Sequence, residues 1–146
     1  MAISGVFPVN TIKFKIGTAG ATSTATDMAM VKDMETFGIS FDNGVEEWNP
    51  LDQEGWVRRL MTAKSVTVGL SGKRHYGDPG NDYVASLAYK NGQDATTKLS
   101  VEFPDGASLD MPCVVNVTAS DGGDSTAVIG LEFECMSDGA PTYTEA

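Results

Sequence analysis

Apolar and polar residues alternate through six stretches of this chain, and a period of two places successive side chains on opposite faces of a β-strand. Lys13 and Lys15 separate Ile12, Phe14 and Ile16, and Gly38 and Ser40 separate Phe37, Ile39 and Phe41. The same rhythm carries Val66, Val68 and Leu70, then Leu99, Val101 and Phe103. The longest run is Leu109, Met111, Cys113, Val115 and Val117, and the last is Ala127, Ile129, Leu131, Phe133 and Cys135. Strands that are apolar on one face need a second layer to bury it. The expected fold is therefore mainly β, a β-sandwich.

Two stretches depart from alternation. In residues 52–64, Trp56, Val57, Leu60 and Met61 fall at i, i+1, i+4 and i+5, the stripe of a short helix. Residues 81–92 repeat the spacing with Tyr83, Val84, Leu87 and Ala88; Asn81 or Asp82 is placed to cap the start, and Gly92 to stop the end. One or two short helices should thus flank the sandwich. Pro104 and Asp105-Gly106 predict a tight hairpin between the fourth and fifth strands, and residues 120–125 a glycine-rich reversal. Residues 17–33, small and polar, read as a flexible loop or arm, 42–57 as a long inter-strand loop, and 137–146 as a tail, all within a single domain spanning 1–146.

Composition changes the picture in one respect. The net charge is −10, and residues 99–146 contain nine acidic side chains and no basic one. Such a surface repels phosphate, which argues against a grip on nucleic acid. No apolar run approaches the ~20 residues of a membrane span. The stretch Met1–Asn10 lacks the apolar core of a signal peptide, so the chain is expected to stay in the cytoplasm where it is made. For the same reason the acceptor pattern Asn116-Val117-Thr118 is discounted. Two cysteines, Cys113 and Cys135, are too few for a disulfide framework; both sit in apolar phase and read as buried, inert thiols.

Candidate chemistry centres on residues 71–93, which hold the one histidine, His75, among Lys73, Arg74, Tyr76, Asp78, Asp82 and Tyr83. Nucleophilic catalysis needs a base beside a serine or cysteine, and no G-x-S-x-G elbow is present. One histidine and two cysteines in separate elements do not supply a zinc site. Asp78 with Asp82, or Asp121 with Asp124, could offer oxygens to calcium, but neither pair follows EF-hand spacing, and turn chemistry explains both stretches. Glu46-Glu47 and Glu132/Glu134 are carboxylate pairs of the kind a glycosidase uses, yet alternate acids on a strand read as a solvated face. The reading is a strand end, a turn and a helix, with no catalytic residue, cofactor or metal.

The run 39–88 resembles the major tail tube proteins of long-tailed bacteriophages, particularly those of Gram-positive hosts, through its "EEWNPLDQEGW" loop, "KSVTVGLSGKR" strand and "GDPGNDY" turn. The close, residues 125–144 ending in "SDGAPTYT", is similar to the same family, and the N-terminal third carries little of the likeness. The resemblance implies a sandwich flanked by a helix, assembled as six-membered rings stacked into a hollow virion tail. Each subunit's inner sheet would join a ring-spanning barrel, and DNA would pass through without specific binding. Partners would be further copies of the chain and tape measure, terminator and baseplate proteins, with no membrane. Glu46, Glu47 and Trp48 are candidate contacts with an adjacent subunit, as are Arg58 and Arg59 on the polar side of the first expected helix. Glu132 and Glu134 are candidate channel-lining residues, since a negative wall keeps a polyanion from sticking. Alternatives are the tube of a contractile tail, tailocin or secretion apparatus, and a carbohydrate-binding sandwich with His75, Tyr76 and Tyr83 as its aromatic platform.

Overall fold

Residues 4–145 are described by a computed structural model; Met1–Ile3 of the N-terminal stretch and Ala146 of the expected tail lie outside it. The alternating stretches form strands β1 (Lys13–Gly17), β3 (Met34–Trp48), β4 (Arg58–Lys73), β5 (Thr96–Glu102), β6 (Ser108–Ser120) and β7 (Gly130–Ser137), joined by short β2 (Met28–Met30) and β8 (Thr142–Thr144). All pairings are antiparallel, in the order β2-β1-β5-β6-β7-β4-β3, with β8 beside the start of β6.

The expected two layers are present, but they are one sheet folded over at β6. The first half of β6 pairs with β5 from Ser108 to Val114, and its second half pairs with β7 from Cys113 to Ser120. The fold brings the far strands together, so that Phe14 of β1 stacks on Phe37 of β3 with centroids 5.8 Å apart. Between the layers lie the residues of the apolar phase: Ile16, Val68, Leu99, Val101, Leu131 and Phe133 are all buried. Cys113 and Cys135 sit there as free thiols, and contact with Cys113 together with burial pushes the Cys135 thiol up.

One α-helix, α1 (Pro79–Ser86), closes an end of the sandwich and continues as a 3-10 turn, Leu87–Tyr89. Pro79 suits the first turn. The cap is neither Asn81 nor Asp82 but Asp78, whose side chain accepts the Asn81 N–H. Asn81 is instead buried, because its amide is needed inside. Gly80 lets the helix touch β2; a Cβ there would overlap the Met30 carbonyl oxygen.

Several expectations are corrected. The predicted helix at 52–64 does not form: Leu51–Gln53 is a 3-10 turn and Arg58 begins β4. The reason is that this part of β4 buries neither face: Leu60 and Met61 point to opposite sides of the strand and both are exposed, so apolar residues fall on both faces and the period of two is lost. A bulge follows, with Gly44 opposite Ala63, Val45 opposite Met61 and Thr62 the extra residue. Of the expected long loop 42–57, residues 42–48 are strand, with β3 running to Trp48, and only 49–57 connect it to β4. Residues 17–33 hold 3-10 turns and β2, tied down where Thr18 and Asp27 bond, and the stretch 137–145 includes β8. The last strand begins at Gly130, leaving Ala127 and Ile129 outside it. The Phe103–Gly106 turn is as expected, with the Gly106 N–H donating to the Phe103 carbonyl at 3.0 Å and Gly106 at φ 92°.

Candidate assembly surfaces

The layer β6-β7-β4-β3 turns one face inward and presents the other, which is polar, small and regular. Directly opposed residues share a face. Thr36, Ser71 and Glu132 form one row, Gly38, Gly69, Glu134 and Asn116 the next, and Ser40, Thr67 and Met136 a third. Glu134 accepts a hydrogen bond from the Asn116 amide at 3.0 Å. No basic side chain stands within these rows, and Lys73 at their margin pairs with Glu35 at 3.2 Å. Glu132 and Glu134 thus lie on one acidic, low-relief surface.

Among the described residues, no strand pairs with either margin of this layer. β3 is the end of the sheet order, so its outer edge is unpaired along 15 residues. On the opposite side, β5 leaves β6 at Val114, and residues 115–120 have no strand there. Unpaired N–H and C=O rows of this kind are templates for another chain.

Beyond the core, β3 and β4 continue as a two-stranded hairpin whose apolar side chains have nothing to cover them. Phe41, Val45, Leu60 and Met61 are exposed; Leu51 at the tip is fully so, and Trp56 is 75% exposed. Glu46, Glu47, Trp48, Arg58 and Arg59 all fall here. Glu47 and Arg59 are opposed across the ladder and pair with each other at 2.8 Å, while Glu46 opposes Leu60 and Trp48 opposes Arg58. These five positions are legible in the sequence, but the exposure of Leu60 and Met61 is not, because apolar residues on both faces of an uncovered strand mimic a helix stripe.

The His75 segment is a latch. The Asn81 Oδ1 accepts from Arg74 Nη1 at 2.9 Å and from the His75 N–H, while its Nδ2 donates to the carbonyls of Lys32 and Lys73. Arg74 also pairs with Asp82 at 2.7 Å and lies over the Tyr76 ring, 4.2 Å from its centroid. His75 Nδ1 meets Asp33, and the Tyr76 hydroxyl donates to Asp121. The Arg74 hydrogen bond holds the Asp82 carboxyl below its ordinary range. Bonds from Tyr76 and Ser120 do the same for Asp121, and the Asp121 acceptor raises the Tyr76 hydroxyl. Tyr83 packs against the core, so His75, Tyr76 and Tyr83 are separately engaged and form no platform. Asp78 and Asp82 are occupied as a cap and an ion-pair partner, and no cluster of three metal-ligating side chains occurs among the described residues.

No family model matches the chain, and no curated protein matches it. Solved structures do. A chain from the tail of an empty gene transfer agent particle, refined with C6 symmetry, superposes with a TM-score of 0.75 at 17% identity, covering 95% of this chain and 99% of that one. A chain of the anti-feeding prophage tube-terminating cap gives 0.61 at 15% identity, covering 100% and 95%. One from the extended sheath–tube complex of an extracellular contractile injection system gives 0.58 at 13%, covering 97% and 93%. In fold, this chain is similar to chains of a gene transfer agent tail and of contractile injection systems.

Proposed function

We propose that the chain is the tube subunit of a phage-like tail, part of the virion, whose copies close into rings that stack around a channel for DNA. The observation that carries this reading is the polar four-strand layer with a free margin on each side. Its strands alternate in direction, so β3 of one copy meets β6 of the next antiparallel, and a ring of equivalent copies continues the ladder without a break. Closure satisfies the edge groups that a monomer exposes. The Glu132 and Glu134 face then becomes the wall, on which a polyanion finds no cation to hold it. Glu46, Glu47, Trp48, Arg58 and Arg59 meet adjacent subunits through the hairpin, the Glu47–Arg59 pair acting as a unit.

Six copies per ring is the expectation from the family resemblance, with the C6 tail of the gene transfer agent as its structural companion. Tape measure, terminator and baseplate proteins are the further partners. The Gram-positive-host character rests on the sequence resemblance alone. Likeness to a sheath–tube complex supports a second reading, the tube of a contractile apparatus. Binding of a co-expressed sheath protein to assembled rods separates the two.

Negative-stain microscopy of concentrated protein is the decisive test. Hollow, evenly banded rods are expected; a species that sediments as a monomer at every concentration sinks the proposal.

A further inference from the structure

Residues 115–120, one of the two free margins of the polar layer, are thinly supported. They have a strand, β7, on one side alone, and of their side chains only Val115 is buried. Thr118 is an extra residue in that pairing, since Val117 lies opposite Phe133 and Ala119 opposite Glu132, and a bulge disrupts the ladder locally. A segment with few buried contacts and solvent-exposed backbone bonds opens readily unless its end is held.

The end is held from β4. Asp121 leaves β6 at φ 61°, a left-handed conformation that turns the chain away at once. Its Oδ1 accepts the Tyr76 hydroxyl at 2.7 Å and its Oδ2 the Ser120 hydroxyl at 2.7 Å, while its N–H donates to the Gly130 carbonyl at 3.0 Å. Arg74 backs this contact. Its guanidinium lies over the Tyr76 ring and is fixed by Asn81 and Asp82 of α1. Its Nε is buried with no hydrogen-bond partner and stands 3.9 Å from the Asp121 Oδ1. An unpaired buried donor is rare and asks for a reason, and here the charge is spent on the Asp121 carboxylate. Tyr76 and Asp121 are themselves exposed, so their bond adds little to the core.

From this we infer that Tyr76 and Asp121 are positioning residues for the lateral contact: reaching past the start of β7, they hold the end of β6 in the extended form that β3 of the next copy pairs with. The inference rests on the tube reading. A margin already ordered loses less entropy when the partner strand arrives. Through Arg74, which Asn81 and Asp82 fix, the helix supports the margin as well.

The test uses the full chain with Tyr76→Phe, which keeps the ring over Arg74 and removes the hydroxyl. The thermal midpoint should stay within about 2 °C of wild type. Hydrogen exchange of the 115–120 amides in the monomer, and the concentration needed for rods, should each rise about 5-fold, the net worth of one hydrogen bond. Unchanged exchange or an unchanged rod threshold overturns the inference while leaving the tube reading intact. Exchange that quickens equally throughout the sheet also overturns it, because that marks a general loss of stability. Asp121→Asn is the conservative variant: asparagine tolerates the same φ, its carbonyl accepts the same hydroxyl, and rods should form within about two-fold of the wild-type concentration. A loss as large as that of Tyr76→Phe would assign the effect to charge and refute the tie. A wild-type chain that forms no rods at any concentration fails the tube reading itself, and the exchange rates then decide whether the margin is held.

Discussion

Asn81 shows what a single buried amide does in this chain. It is wholly buried, and its side chain joins the β2–β3 turn to the end of β4 through four hydrogen bonds. Asn81→Ala leaves two carbonyls and the His75 N–H without their partner, while Arg74 keeps Asp82. A loss of about 3 kcal/mol in urea unfolding is expected, since each buried group left unsatisfied costs roughly 1–3 kcal/mol. A loss below ~0.5 kcal/mol would show that the latch holds nothing. Gly80→Ala forces a methyl group into the Met30 carbonyl and should cost about 1–3 kcal/mol by the same assay. Asp82 and Asp121 have folded-state pKa values lowered by their hydrogen bonds. Their contribution is therefore present above the ordinary carboxylate value of about 3.9 and lost as pH falls through the lower folded values. Asp82→Asn should lower the thermal midpoint at neutral pH and flatten its decline on acidification; an unchanged acid limb would contradict the pairing with Arg74.

The β3–β4 hairpin is the element on which the proposed assembly depends. Its apolar side chains are exposed while the core begins only at Val66. Replacing residues 44–63 by Asn-Gly keeps Asn43 opposite Lys64 and makes a two-residue turn. Because little core is lost, the thermal midpoint should move by less than about 4 °C, while rods disappear from micrographs. Normal rods would remove the hairpin from the assembly. This element was hard to read in sequence for a definite reason. Strand periodicity is enforced only where one face is buried, and Leu60 and Met61 lie on opposite faces of a hairpin that buries neither, so residues 52–64 carry a helix-like stripe. Where pairing is regular, as along β6 from Leu109 to Val115, the pattern predicts which face is buried.

At the scale of the whole molecule the net charge of −10 opposes association of like copies. Rod formation should therefore need a several-fold lower protein concentration at ~150 mM salt than at ~10 mM, as the Debye length falls from about 30 to 8 Å. Sedimentation across that range measures it, and the reverse trend would mean that ion pairs dominate the contact. Changing Glu132 and Glu134 to Lys should permit assembly but slow DNA ejection from particles. Ejection at the unaltered rate would take these residues off the channel wall.

The amino-acid sequence by itself determined the strands, their buried faces, the helix at Val84 and Leu87, and the outward phase of Glu132 and Glu134, because these depend on periodicity within a few residues. Only the tertiary structure decided that the two layers are a single sheet shared at β6, that residues 58–64 are strand, and that the edges of β3 and of residues 115–120 are empty. Those properties arise from pairings between residues far apart in the chain. An alternating pattern specifies which side of a strand is apolar, but not which strand lies beside it or whether any does.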